Sequence, residues 1–247
     1  MHISRFLAPA LIALSVTTSS AIAQDSTWDF NGTFYLWTAE TDVGITTPLG
    51  DIESTLSFSD ALENLDFAFM AALEARNGKL SLIGDFAYTK LAFSNSTPGP
   101  NFGGVDADVK LQVMNAYALY ETRKYDRWAL DLGAGVRWFN ADTTLSLLPG
   151  NLAGRSARFN DSWFDPVIAG RVRFDISDRW SGNAFLDYGG FRSGSESWQA
   201  ILTARYDFND SWSFVAGYRI LDIKHGPSDD EFNFTQSGPV IGVGYAF

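Results

Sequence analysis

Three sets of residues in this sequence have the types and spacing to do chemistry. The first is a histidine with hydroxyl and carboxylate neighbours. Of the two histidines, His2 belongs to a short N-terminal segment, which leaves His225 within Asp222-Ile223-Lys224-His225-Gly226. With Ser228 and Asp229 close behind it, His225 could serve as the general base of a lipid or peptide hydrolase. All three would share one loop, a poor frame for a nucleophile and its base, and no His-x-Ser-Asn or Asp-x-His sequence surrounds them. No catalytic residue is therefore assigned, and a hydrolase using His225 stays as an alternative. The second set is acidic: Asp229-Asp230-Glu231, and Glu40, Asp42, Asp51, Glu53, Asp60 and Glu63. Carboxylates suit a divalent cation, but the spacing matches no EF-hand loop and reads as solvated surface charge. With no cysteine and one histidine outside the N-terminal segment, a transition-metal site is not expected. No cofactor is expected either. A net charge of −11 argues against a nucleic-acid partner, which calls for a basic face.

The third set is the most regular. Glu74, Asp85, Lys110, Asp131, Arg137, Arg171, Arg173, Asp187, Arg205 and Arg219 each sit inside a stretch that alternates with period two, opposite a face of aromatic and aliphatic residues. Trp128, Leu130, Leu132, Ala134, Val136 and Trp138 share one face; Ala129, Asp131, Gly133, Gly135 and Arg137 share the other. That dyad marks β-strands with two unlike faces.

Ten such runs are expected, near 27–40, 65–76, 79–93, 107–122, 127–145, 157–175, 180–192, 197–208, 212–224 and 231–247. Most exceed the 9–11 or so residues a tilted strand needs to cross a bilayer. Every second connection is tight, as at Arg76-Asn77-Gly78-Lys79, Tyr125-Asp126, Ser177-Asp178-Arg179 and Asn209-Asp210-Ser211, and those between them are longer. This alternation predicts an all-β chain, a transmembrane antiparallel up-and-down β-barrel of ten strands, with eight or twelve as the neighbouring even counts. The first long connection, 41–64, reads as a short hairpin followed by a helical turn capped by Ser59. It would be a plug or a surface loop.

The two ends carry addresses. Residues 1–23 combine a basic start, an apolar run and Ala21-Ile22-Ala23, the order of a cleaved secretory signal peptide. The barrel would then occupy 24–247. Trp28, Trp128, Trp180 and Trp212 each stand beside a chain end or a tight turn, as a membrane-interface girdle would. The last strand alternates through Val243 and Tyr245 to a terminal Phe247. In these features the chain resembles the broad superfamily of small Gram-negative outer-membrane β-barrels, the group of the OmpA-like and OmpW-like proteins. The resemblance rests on architecture and the two termini and singles out no subfamily. It implies a cell outer-membrane location reached through the secretory pathway. Lipid and lipopolysaccharide would be its surroundings, and the outer-membrane assembly machinery would read Val243, Tyr245 and Phe247.

A charged side chain facing lipid near the midplane costs about 2–4 kcal/mol for Arg or Lys, so the ten charged residues belong in the lumen. They would form an ion-pair network filling it, or line a narrow small-solute pore constricted at Arg171 and Arg173. About eight strands enclose only side chains, and ten lies near that limit. A soluble periplasmic β-sandwich binder is a further alternative, but it would need an apolar interior and would leave its aromatic bands in water.

Overall fold

The computed structural model describes residues 28–47, 50–96, 100–226 and 232–247. The signal-peptide expectation for 1–23 and the Ser228–Glu231 stretch lie outside them. Ten strands close on themselves: β1 (Asp29–Trp37), then β4 (Leu65–Asn77), β5 (Leu80–Asn95), β6 (Phe102–Lys124), β7 (Trp128–Pro149), β8 (Arg155–Asp175), β9 (Trp180–Arg192), β10 (Ser195–Asp207), β11 (Trp212–His225) and β12 (Phe232–Ala246). Each is antiparallel to its neighbours, and β1 pairs with β12 from Asn31↔Ala246 to Trp37↔Val240, which closes the wall. Closure gives every wall strand two neighbours, as a membrane interior without water requires. No described helix is long and apolar enough to cross a membrane. The wall is a barrel, not two packed sheets, so the sandwich alternative falls.

The remaining strands, β2 (Glu40–Thr47) and β3 (Gly50–Leu56), form the hairpin expected within 41–64. β2 takes up β12 where β1 stops, pairing Glu40–Ile45 with Ser237–Phe232, so the hairpin continues the wall at the outer end. The helical turn α1 (Phe58–Glu63) follows, capped by Ser57 and not by Ser59: Ser57 Oγ accepts the Asp60 amide at 3.2 Å.

Tight turns gather at one end. At Asn77-Gly78 the glycine takes φ +56°, the left-handed conformation that such hairpins need. At three other turns the carbonyl of the following tryptophan closes the loop. The amides of Tyr125, Ile176 and Phe208 donate to Trp128, Trp180 and Trp212 at 2.8, 2.8 and 2.9 Å. This shared closure accounts for the repeated Asp-x-Trp pattern. Short turns mark the periplasmic end of such barrels.

At the outer end two expected long connections, 94–106 and 146–156, are mostly strand. β8 pairs with β9 only from Asp175↔Ser181 to Val167↔Gly189, then runs on to Arg155 beside β7 alone. β5 to β8 thus rise above the rest of the rim as a four-stranded flap. Pro166, which has no amide hydrogen to give, stands where β8 leaves β9.

The two faces exchange character along the wall. In the lower part Leu73, Leu132, Ile168, Leu186 and Leu202 point outward and are exposed, while charged residues point in. In the flap the outward face carries Lys90 opposite Lys110, and Lys110 opposite Asp142. The inward face there carries Leu91, Val109, Thr143 and Phe159 in one row. That reversal begins at the charged Lys90–Lys110–Asp142 row and is the pattern that a passage from a lipid-facing wall to a water-facing one calls for.

Candidate functional site

The interior is built in layers. Nearest the periplasmic end, the Arg171 guanidinium reaches from β8 to β4 and holds Glu74 through two bonds of 2.9 and 3.0 Å, with Ser81 Oγ at 3.0 Å. Its Nε donates to Asp131 at 2.8 Å. Arg173 donates to Asp131 at 2.8 Å and to Glu121 at 2.9 Å, and Arg76 donates to Glu121 at 2.8 Å. Three guanidinium groups, Arg76, Arg171 and Arg173, thus meet three carboxylates, Glu74, Glu121 and Asp131.

Above them a ring of hydrogen bonds crosses the lumen. Arg137 Nη2 donates to both Asp187 oxygens at 2.7 Å and its Nε to Asn115 at 2.8 Å. Asn115 Nδ2 donates to Asp85 at 3.0 Å, and Tyr35 OH donates to Asp85 at 2.6 Å. Arg219 donates to Asp85 at 2.9 Å, to Tyr35 OH at 2.8 Å and to Gln199 at 2.8 Å, and its guanidinium lies 4.5 Å over the Trp37 ring. Gln199 and Tyr117 OH then donate to Asp187 at 3.1 and 2.6 Å, which closes the circuit. Two arginines balance two aspartates, and Arg137 and Arg219 are each 1% exposed. Unpaired charges at this depth would be costly, and this geometry leaves none in the ring. Apolar residues cover the ring on its outer side: Phe139, Leu221, Ile223 and Phe234 are at most 1% exposed.

One of the charged residues read from the sequence stands elsewhere, and another faces the lumen outside the ion pairs. Lys110 does not face the lumen. Val113, Asn115 and Tyr117 alternate inward on β6, so Lys110 points out, in the flap beside Asp142. Arg205 faces inward near the periplasmic end. It is held by Asn31 Oδ1 at 3.4 Å, and no carboxylate pairs with it among the described residues. Around these layers a cavity of about 700 Å³ opens at that end, with Tyr35, Tyr117, Gln199 and Arg219 at its floor.

The interior depends on uncharged partners that the sequence reading passed over: Tyr35, Asn115, Tyr117 and Gln199, with Glu121 and Arg76 in the lower layer. Asn115 stands in register with Asp85 and Arg137, Gln199 with Asp187, Glu121 with Asp131 and Arg76 with Asp29, whereas Tyr35 pairs with Gly242 and Tyr117 with Ile83 and Gly135, so the two tyrosines carry no such signal.

At the outer mouth His225 stacks on Trp163, ring centroids 4.0 Å apart and 6° from parallel. Ser195 and Asp165 are near, but in the wrong order for a hydrolytic relay. Ser195 Oγ donates to Asp165 at 2.8 Å and Trp163 Nε1 donates to Asp165 at 3.1 Å, while His225 Nδ1 is buried with no partner. Among the described residues no group of His, Asp and Glu could hold a metal.

Trp128, Trp180 and Trp212 are exposed beside the periplasmic turns, at the height of Trp28 next to β1. Trp128 stacks on Tyr125 at 4.4 Å, Trp180 meets Tyr206 at 5.0 Å, and Trp212 meets Tyr245 at 4.8 Å. Val243 and Tyr245 face outward on β12, and the Phe247 amide donates to the Phe30 carbonyl at 3.0 Å.

No family model matches the chain, and no curated protein matches it. Among solved structures it is similar to the outer membrane protease OmpT from Escherichia coli, with a TM-score of 0.62, 9% identity, and coverage of 89% of this chain and 97% of that one. It also matches Ail of Yersinia pestis, at a TM-score of 0.43, 13% identity, and coverage of 89% and 98%. The translocator domain of the autotransporter NalP from Neisseria meningitidis matches at 0.46, 14% identity, and coverage of 89% and 88%. The likeness to OmpT is one of fold: this chain has the fold of a Gram-negative outer-membrane β-barrel.

Proposed function

We propose that this protein is a closed outer-membrane barrel, a structural and surface-contact component of the envelope and not a solute pore. The observation that carries this is the hydrogen-bonded ring from Tyr35 round to Arg219, roofed by Phe139, Leu221, Ile223 and Phe234. An ion entering here would have to displace paired charges and then cross a dry apolar layer, which is costly at each step. Arg171 and Arg173 act as cross-braces between β8, β7 and β4 in this reading, not as a constriction. The Trp girdle seats the inner end in the lipid headgroups. The charged outer row meets lipopolysaccharide, and the assembly machinery reads Val243, Tyr245 and Phe247. The bonding order of Ser195, Asp165 and His225 supports a non-catalytic mouth.

Single-channel recording of the refolded mature chain in planar bilayers tests this. Heat-modifiable migration on a denaturing gel identifies correctly folded protein. Folded protein should give no discrete steps. Regular openings from such protein would defeat the proposal and return the lumen to a pore.

A further inference from the structure

The blind cavity at the periplasmic end has two unlike walls. On the side of β4 and β8, Arg76, Arg171 and Arg173 are all bound to carboxylates. The opposite side, from β1, β9 and β10, holds Asn31, Thr33, Asn183, Thr203 and Arg205, together with Asp29, and Asp175 faces the same cavity across Ser181; neither aspartate is ion-paired to Arg205. Here the guanidinium of Arg205 lies beside a neutral amide and pairs with no carboxylate among the described residues. Its position is built: Gly244 faces it, and a Cβ there would stand 2.9 Å from Arg205 Nη2 and 2.5 Å from Ser213 Oγ. Any side chain at 244 would push the guanidinium away.

A second group on this wall also lacks a partner. Asn183 Oδ1 is buried without a hydrogen bond. Asn183 pairs with Thr203, and Ser181 with Arg205, so Asn183 and Arg205 are diagonal neighbours on one inward face. Such neighbours lie about 7–8 Å apart. A planar cation with free donors matches a carboxylate. An acceptor one diagonal step away on the same face matches a hydroxyl or amino hydrogen on the same molecule. The cavity's size of about 700 Å³ lies within the range of small-molecule sites.

We propose that this cup is a periplasm-facing binding site for a small polar carboxylate that carries a hydrogen-bond donor. Arg205 takes the carboxylate and Asn183 takes the donor. The site does not depend on whether the barrel conducts, and its test is read separately from bilayer recording.

The test is isothermal titration of the refolded protein with L-malate and with succinate, which differ by one hydroxyl. Malate should bind saturably at millimolar concentration, and succinate several-fold more weakly. Arg205→Gln should weaken both at least tenfold. Arg205→Lys, which keeps the charge without the planar fork, should fall between. Asn183→Ala should bring malate down to the level of succinate and leave succinate unchanged. Heat-modifiable migration confirms folding of each variant. Absence of saturable malate binding in the unaltered protein overturns the site, as does unchanged binding in a folded Arg205→Gln. Equal affinity for malate and succinate overturns the role of Asn183.

Discussion

The Trp37 amide donates to Met70 Sδ at 3.2 Å, at the height where β1 has parted from β4. β1 and β4 pair only from Asp29↔Arg76 to Phe34↔Ala71, while β1 continues beside β12 to Trp37. A backbone donor that has lost its strand partner is thus met by a thioether, a weak acceptor whose flexible stem fills an irregular gap. Met70 is 6% exposed and belongs to the apolar layer over the ring.

Met70 should therefore be a sensitive point in the wall. Met70→Ala removes packing and acceptor together and should cost about 2–5 kcal/mol. Met70→Leu keeps the volume and should cost less than about 1.5 kcal/mol. Urea unfolding of the refolded barrel from lipid vesicles, followed by tryptophan fluorescence, measures both. Equal losses would mean that volume is not what seals this seam.

The ring offers a sharper test. Arg219 spans β11 to β5 and meets Asp85 at 2.9 Å with side chains 2% and 13% exposed. Removing one partner of a buried pair strands the other charge. Arg219→Met alone should cost about 3–5 kcal/mol, and Arg219→Met with Asp85→Leu should recover most of that. A double variant as unstable as the sum of the two single ones would show that these residues act independently.

Much of this was readable from the chain because a strand's two faces repeat every second residue. Asp131 and Arg137 on β7 and Arg171 and Arg173 on β8 kept their parity from sequence to structure, since nothing interrupts those ladders. Lys110 shows where the reasoning stops. Charge implies "inside" only while the outside is lipid. If the membrane ends at the Lys90–Lys110–Asp142 row, the outside above it is water, and the same residue type belongs on the opposite face. The sequence carries no mark of that height. The flap was hidden by turn-forming residues: Pro100 near the start of β6, Pro149 at the end of β7, and Gly150, Asn151 and Gly154 between β7 and β8 break the alternation and read as loop. The neutral ring members, Asn115 and Gln199 among them, have no charge to draw attention. Only the register between strands shows that they complete the circuit.

In the flap, Arg158 donates to Asp142 at 2.8 Å through Nε, and this hydrogen bond holds the Asp142 carboxyl below the usual carboxylate range. A depressed folded-state value means that the contact stabilises above the unfolded value, near 3.9, and is lost as pH falls through the folded one. The protection of the 142–158 hairpin against hydrogen exchange, taken relative to the intrinsic amide rates at each pH, should thus be constant at neutral pH and fall below about pH 4. Arg158→Gln should remove that step and leave the protection at neutral pH little changed, because Arg158 reaches the pair from solvent, with its side chain 66% exposed. An acid-induced loss of protection that persists in Arg158→Gln would assign it to another carboxylate.

The girdle predicts a depth. Trp128, Trp180 and Trp212 stand at one level beside turns whose carbonyls they supply, and an indole prefers the boundary where its N–H stays wet. Variants keeping one of these tryptophans at a time, with the others changed to Phe, can be refolded into vesicles with a quencher at a chosen acyl position. Quenching should be stronger from a position near the headgroups than from one near the midplane, and similar for all three. Trp138 is the internal contrast. It faces outward beside Phe164, at a ring distance of 6.3 Å, far up β7 from Trp128, and should report the other leaflet when quencher is confined there. If Trp128, Trp180 and Trp212 were quenched most strongly from the midplane, the membrane would sit higher on the wall. The Lys90–Lys110–Asp142 row could then not be its outer edge.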